Sequence, residues 1–328
     1  MEYIRVRGLE KEVSRLIFGT AWFTLEDEKD AHAMMDRYIE LGGNMIDTGR
    51  YYGKGSGIAK SEEIIARWLQ NSGVKREDIM ISDKCCNCMI DRKGKIHEEF
   101  VRVSPVFIQE DLMYSLDRVG VDYFDLYLIH RDDPHVPVAD LMDKLEELRI
   151  AGYFKAYGVS SWQPSRMAEA LAYCQRMNYR GPSVSSPSYS LLHTKYNRQP
   201  GTWYADDAFA QWHKDNDVTL MSWAPQGAGF FVDPLLPIFQ PDKANMWTKE
   251  SFLTEENFAR RERAILLAKE KGCSSVNIAL SYILSQDLPL AAQIGARNMW
   301  ELEDCVKNLE LKLTQAEIEY LRLERDDY

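Results

Sequence analysis

The stretch Phe124-Asp125-Leu126-Tyr127-Leu128-Ile129-His130 decides the fold. It is a short aliphatic and aromatic run of strand length that ends on an ionisable residue. Val138, Leu141, Leu145 and Leu148 then fall on one helical face, and Gly152 supplies the stop before a new aliphatic run over residues 156–160. Strand, helix and strand in this order make the unit of a parallel sheet.

The same unit recurs on both sides. Towards the amino terminus, the run 16–19 precedes Met34, Met35, Tyr38 and Ile39 on one face, closed by Gly42-Gly43. The run 44–47 precedes Ile64, Ile65, Trp68 and Leu69, with Ser61 as the expected N-cap and Gly73 as the stop. The run 79–84 precedes Ile108, Leu112, Ser115, Leu116 and Val119, closed by Gly120. Towards the carboxyl terminus, Pro164 opens a helix bearing Met167, Ala170 and Leu171, and further strands are expected at 183–186, 218–223 and 290–295. Thr314-Gln315-Ala316-Glu317 is a capping box for one more helix. Eight strands alternating with helices predict an α/β protein of the (β/α)8 TIM-barrel type. With no repeat and no Pro- or Ser-rich linker, residues 1–328 are expected to form one domain, with an N-terminal β-hairpin and an additional C-terminal helix. An open dinucleotide-binding sheet would place G-x-G-x-x-G after its first strand, where only Gly19 stands, and Gly53-Lys54-Gly55-Ser56-Gly57 misses the phosphate-loop spacing.

Composition narrows the function. Forty Lys and Arg against 51 Asp and Glu leave a formal charge of −11, with the basic residues scattered, which argues against a nucleic-acid or anionic-membrane surface. No apolar window is long enough for a bilayer, and Met1-Glu2-Tyr3-Ile4-Arg5-Val6-Arg7 lacks the apolar stretch of a secretory signal, so a cytoplasmic protein is expected. The six cysteines are read as reduced thiols. Cys85 and Cys88 form a single C-x₂-C pair with no second pair to complete four ligands, so the Cys85-Cys86-Asn87-Cys88 cluster is read as loop thiols. The six histidines contain no H-x-H, which disfavours a metal-dependent hydrolase, and no metal site is expected. No heptads are present, and oligomeric state is not legible.

On a barrel, catalytic groups gather where the strands end. The ionisable residues at those positions are Asp47 with Tyr52 in the loop beyond it, Lys84 and His130. Reducing a carbonyl by hydride places negative charge on oxygen, so an acid is needed there. A phenol, with an ordinary pKa of about 10, donates near neutrality when a cation stabilises its phenolate. Lys84 can be that cation, Asp47 can hold it, and a neutral His130 can orient the carbonyl.

These residues and their setting resemble the aldo-keto reductase superfamily over essentially the whole chain. The stretches that carry the resemblance are Phe18-Gly19-Thr20, Asn44-Met45-Ile46-Asp47-Thr48-Gly49-Arg50-Tyr51-Tyr52-Gly53, Ile81-Ser82-Asp83-Lys84, Asp122-Tyr123-Phe124-Asp125-Leu126-Tyr127-Leu128-Ile129-His130 and Gly158-Val159-Ser160-Ser161-Trp162. The resemblance implies a catalytic tetrad at Asp47, Tyr52, Lys84 and His130, with the tyrosine as general acid or base. It further implies an extended NAD(P)H site near Gly19, Thr20 and Asp47. Ser222-Trp223-Ala224-Pro225-Gln226-Gly227-Ala228-Gly229 is similar to the family's strand-seven loop, with Trp223 against the nicotinamide and backbone around Ala224, Gln226 and Gly229 near the pyrophosphate. Ile294-Gly295-Ala296-Arg297 followed by Glu301 and Cys305 is similar to the adenosine-phosphate end, where Arg297 favours NADP(H) over NAD(H). The pattern departs from the family's at the carboxamide, where Ser160-Ser161 and Ser186 stand for a Ser-Asn pair and a Gln, and near the adenine, where Glu301 and Cys305 stand for Gln and Asn.

The resemblance implies an oxidoreductase acting on a small aldehyde, ketone, sugar or polyol. The segments 85–107, 191–205 and 229–251 are expected to build the substrate pocket, with Trp203, Tyr204, Phe230, Phe231, Phe239 and Trp247 as aromatic surface and Arg131, Asp132 and Asp133 near hydroxyl groups. The alternative is a nucleotide-binding regulatory or scaffold member of the same superfamily with little turnover.

Overall fold

A computed structural model describes residues 1–24, 26–53, 60–90, 96–194 and 202–328. Eight parallel strands close into a barrel: β1 (Leu16–Gly19), β2 (Met45–Asp47), β3 (Met80–Cys85), β4 (Phe124–Ile129), β5 (Phe154–Ser160), β6 (Val184–Ser186), β7 (Thr219–Trp223) and β8 (Leu290–Ile294). Each strand pairs with its sequence neighbours, and β8 closes onto β1 through Ala292 opposite Leu16 and Ile294 opposite Phe18. This is the (β/α)8 barrel, with its strands where the aliphatic runs placed them.

Strand side chains alternate between two environments, and that alternation builds the site. Ile17, Met45, Met80, Leu126, Leu128, Ala156, Val184, Met221 and Ala291 form an inner cluster, joined by Val6 and Val13. The N-terminal hairpin, Tyr3–Ile4 against Val13–Ser14, thus brings Val13 to one end of that inner core. The alternate positions, among them Leu16, Phe18, Ile46, Ile81, Tyr127 and Ile129, pack into the outer layer with the helices. Stepping two residues from the inner apolar positions towards the strand ends gives Gly19, Asp47, Lys84 by way of Ser82, His130, Ser160 by way of Gly158, Ser186, Trp223 and Gln293. Apolar below and polar at the end, one parity supplies both the plug and the floor of the cleft.

The helices follow the amphipathic faces, for example Pro105–Val119 with Ile108, Leu112, Ser115, Leu116 and Val119 buried and Gly120 left-handed at its end. Thr314 and Glu317 form the capping box of Gln315–Leu321. Ser61 is not an N-cap. It lies inside the helix Lys60–Asn71, fully buried, and its hydroxyl meets those of Thr20 and Thr48. Of the clustered cysteines only Cys86 lies in a turn between strands: Cys85 ends β3 and Cys88 opens a hairpin, Cys88–Ile90 against Ile96–Val101. None of the three is in a disulfide among the described residues, and all three are buried. Parts of the glycine run at 53–57 and of the segments 85–107 and 191–205 lie outside the described residues, as does the side chain of Trp247. Among the described residues no helix is long and apolar enough to cross a membrane.

Candidate active site

Asp47 ends β2 opposite Ser82, with Lys84 two residues further along β3, and Asp47 and Lys84 are both about 2% exposed. The Lys84 ammonium is ion-paired with Asp47, donates to the Tyr52 hydroxyl at 3.1 Å and approaches the Thr48 carbonyl at 3.4 Å. Ser82 donates to the second Asp47 oxygen at 3.0 Å. Both carboxylate oxygens are therefore engaged. The Tyr52 ring meets the His130 ring edge-on at 5.6 Å, and Lys84 Nζ lies 4.8 Å from the Tyr52 centroid. All four residues predicted from the strand ends come together.

The loop that carries Tyr52 is anchored from behind. The fully buried Asp111 carboxylate is shared by the guanidinium groups of Arg50 and Arg102 and accepts from the Cys86 backbone N–H at 2.9 Å. Cys86 is left-handed, with φ 56°, so the chain turns sharply just past Lys84. Asn87, in that turn, reaches His130: its amide nitrogen lies 2.9 Å from His130 Nδ1.

Burial and charge oppose each other at every group. Burial lifts the Asp47 carboxyl above the ordinary range, and Lys84 pulls it back. Burial works against the Lys84 cation, but Asp47 and Tyr52 overcome it and leave Lys84 above its ordinary value. Tyr52 is raised by burial, with Lys84 opposing. His130 falls well below its ordinary value through burial, then Lys84, then Arg131. The resting arrangement is a phenol that keeps its proton, a charged lysine and a neutral imidazole.

These four residues floor a cleft of about 870 Å³ that runs from His130 and Arg131 across the barrel mouth to Arg297 and Glu301. Of the residues expected to hold a cofactor, Gly19, Asp47, Ser160, Ser161, Trp223, Ala224, Gln226, Gly229, Gly295, Arg297 and Glu301 line it. Two others lie behind the wall. Thr20 donates to the Asp47 carbonyl at 2.9 Å and is fully buried. The Ser186 hydroxyl donates to Gln293 Oε1 at 3.4 Å. At the far end the Arg297 guanidinium lies over the Trp22 ring at 5.0 Å, and Glu301 accepts the Arg297 backbone N–H at 2.8 Å. Cys305 is buried, with the Gln226 amide donating to its sulfur at 3.4 Å, and burial pushes its thiol up to about 12.

Gln293 was not anticipated. It is 6% exposed and lines the cleft, and its amide nitrogen meets no acceptor among the described residues. A buried amide without a partner costs about 1–3 kcal/mol, so the cleft presents a donor that a ligand can satisfy. The inward parity of β8, Ala291 then Gln293, was the available signal. Trp22, which also lines the cleft, had no such signal because it lies beyond the end of β1.

The expected substrate surface is largely absent from the wall. Phe230, Phe231 and Phe239 are buried, with Phe230 at 5.3–5.6 Å from Phe239, Phe231 and Phe258. These aromatics pack the loop down on itself, while Gly229, Val232, Asp233 and Leu236 of the same segment line the cleft. Asp132 is buried in an ion pair with Arg166 at 3.0 Å, and Asp133 caps its own turn through the His135 N–H, so neither lines the cleft. Arg131, Thr202, Trp22 and Trp223 do, with Tyr204 backing Trp223 at 5.3 Å.

Comparison with known proteins places the chain in a family. An uncharacterized oxidoreductase, YrpG, of Bacillus subtilis is 27% identical over 99% of this chain and 95% of its own length. A probable voltage-gated potassium channel subunit beta of rice, Oryza sativa subsp. japonica, is 23% identical over 95% of this chain and 92% of its own. The solved structure of a glycerol dehydrogenase from Gluconobacter oxydans superposes with a TM-score of 0.75 at 21% identity, covering 97% of this chain and 93% of that one, which is a likeness of fold. The model of the aldo/keto reductase family matches residues 15–323, and the chain belongs to that family of oxidoreductases.

Proposed function

We propose that this chain is an NADP(H)-dependent oxidoreductase that interconverts a carbonyl compound, an aldehyde, ketone or sugar, with its alcohol. The observation that carries this reading is the single Lys84 ammonium bound to both Asp47 and Tyr52 beside His130, on the floor of an elongated cleft. The cleft residues fit a nicotinamide cofactor. Gln293 offers an unsatisfied amide donor for a carboxamide, Trp223 offers a ring face, and Arg297 offers a cation for a phosphate. When bound, such a cofactor supplies or accepts the hydride.

The chain's own residues do the rest. Neutral His130 holds the carbonyl oxygen by one hydrogen bond, Tyr52 gives that oxygen its proton, and Lys84 stabilises the phenolate left behind. Asp47 keeps Lys84 charged and in place. In the alcohol direction Tyr52 takes the proton instead. The same reading takes residues 1–328 as one domain that works in the cytoplasm on a small-molecule substrate.

The test is a tryptophan-fluorescence titration with NADPH and NADH, followed by a panel of aldehydes, ketones and sugars. Saturable quenching with preference for NADPH, and consumption of NADPH with at least one carbonyl, are the expected results. Binding without turnover across the panel would favour a nucleotide-binding regulatory role, a reading that the channel-subunit relative keeps in play. No binding of either nucleotide would overturn both.

A further inference from the structure

The hydrogen bonds around Asn87 settle a question that the four active-site residues leave open, namely which nitrogen of His130 carries the proton. Asn87 Oδ1 accepts from Arg131 Nε at 2.7 Å and from the Cys88 backbone N–H at 2.8 Å. Both partners are obligate donors, so that end of the amide is the oxygen. The other end is therefore the NH2 group, and it lies 2.9 Å from His130 Nδ1. An NH2 group can only donate, so Nδ1 must accept. The ring is neutral, with its one proton on Nε2. His130 lines the cleft, and Nε2 has no partner among the described residues.

We infer that Asn87 is a positioning residue that locks His130 in its Nε2–H tautomer, so that the imidazole is a permanent hydrogen-bond donor to the substrate oxygen. The role rests on the carbonyl-reduction reading, although the tautomer itself does not. A carbonyl oxygen can be held only by a donor, and the opposite tautomer would turn a lone pair towards it. Asn suits the task better than Asp. A carboxylate at position 87 would keep the Arg131 and Cys88 contacts but would demand a proton on Nδ1. The charged and titratable neighbours of the imidazole are Lys84, Arg131 and the Tyr52 ring; the two cations disfavour a second proton on the ring, and Tyr52 contributes only an edge. Asn87 supplies order without charge.

The test uses the full chain labelled with isotopic nitrogen in histidine, with the His130 signals identified by their loss in His130→Gln. In the unsubstituted protein, Nδ1 is expected in the unprotonated range and Nε2 in the protonated range at every pH at which the protein is folded. In Asn87→Asp, Nδ1 is expected to become protonated, and carbonyl reduction is expected to gain a new limb. Activity falls by roughly 10²-fold as pH rises and Nε2 loses its proton, while NADPH affinity stays the same. In Asn87→Ala, the two nitrogens are expected to move towards intermediate values as the tautomers mix. A proton on Nδ1 in the unsubstituted protein, an unmoved tautomer in both variants, or an unchanged pH profile in Asn87→Asp would overturn the inference. Should the unsubstituted protein reduce no carbonyl, the functional reading falls, and the nitrogen signals still decide the tautomer.

Discussion

The Lys84 ammonium donates to the Tyr52 hydroxyl at 3.1 Å while it is ion-paired with the buried Asp47 carboxylate, so one cation is shared between a phenol and its counter-ion. Removing the hydroxyl leaves the pair intact. Tyr52→Phe is therefore expected to lower kcat for carbonyl reduction by about 10²–10⁴-fold, the usual worth of a positioned acid, with NADPH binding unchanged. Steady-state kinetics together with a fluorescence titration check it. Reduction that survives the substitution would remove Tyr52 from the proton-transfer role.

The pH dependence follows from the directions of the shifts. Burial holds Tyr52 above its ordinary value of 10.0 despite Lys84, and His130 lies well below its ordinary value of 6.5. Carbonyl reduction needs the phenol and should be flat through neutrality, because Tyr52 keeps its proton there and His130 does not gain one. Alcohol oxidation needs the phenolate and should rise as pH increases towards the raised Tyr52 value. Initial rates in both directions between about pH 6 and 10 test this, and an oxidation rate with an acidic optimum would contradict it.

Gln293 is the residue whose contribution is most separable from chemistry. Its amide nitrogen has no acceptor among the described residues, and Ser186 holds its oxygen only at 3.4 Å. Gln293→Leu should weaken NADPH binding by roughly 3- to 10-fold, the worth of one net hydrogen bond. Ser186→Ala should have a smaller effect, since it only orients the amide. Calorimetric titration of both variants checks the order, and equal affinities for Gln293→Leu and the unsubstituted protein would exclude the contact.

Legibility in the sequence tracked how local the cause was. Asp47, Lys84 and His130 could be found because period-two alternation and a strand end are both short-range features. Gln293 obeys the same parity, but the Gly295-Ala296-Arg297 element just beyond β8 draws attention away from it. Asn87 reaches His130 across 43 residues, and Asp132 reaches Arg166 across 34. Side-chain pairings of that kind depend on the turn at Cys86 and on helix placement, neither of which has a local pattern. The aromatic residues of the 229–251 segment misled for a related reason. Composition says that Phe230 and Phe239 are large and apolar, but only the packed structure says which surface they bury.

Asp83 sits one residue from Lys84 and therefore on the opposite parity, pointing out of the barrel into the layer beneath the helices. It is fully buried, and neither carboxyl oxygen meets a donor among the described residues. Glu62 is fully buried as well, with one oxygen accepting from Ser115 at 2.8 Å and the other without a partner. Burial lifts Asp83 to about 7 and, with Asp83 repelling it, lifts Glu62 well above its ordinary value. An acid raised on folding costs nothing while both states are protonated. The cost grows once the unfolded chain ionises near pH 4 and is complete above the folded value near pH 7. Asp83→Asn removes the titration, so it should raise Tm relative to the unsubstituted protein at pH 8 and by much less at pH 5. Thermal unfolding of both proteins at the two pH values measures the difference. A variant that is destabilised equally at both would mean that Asp83 is held by partners rather than tolerated.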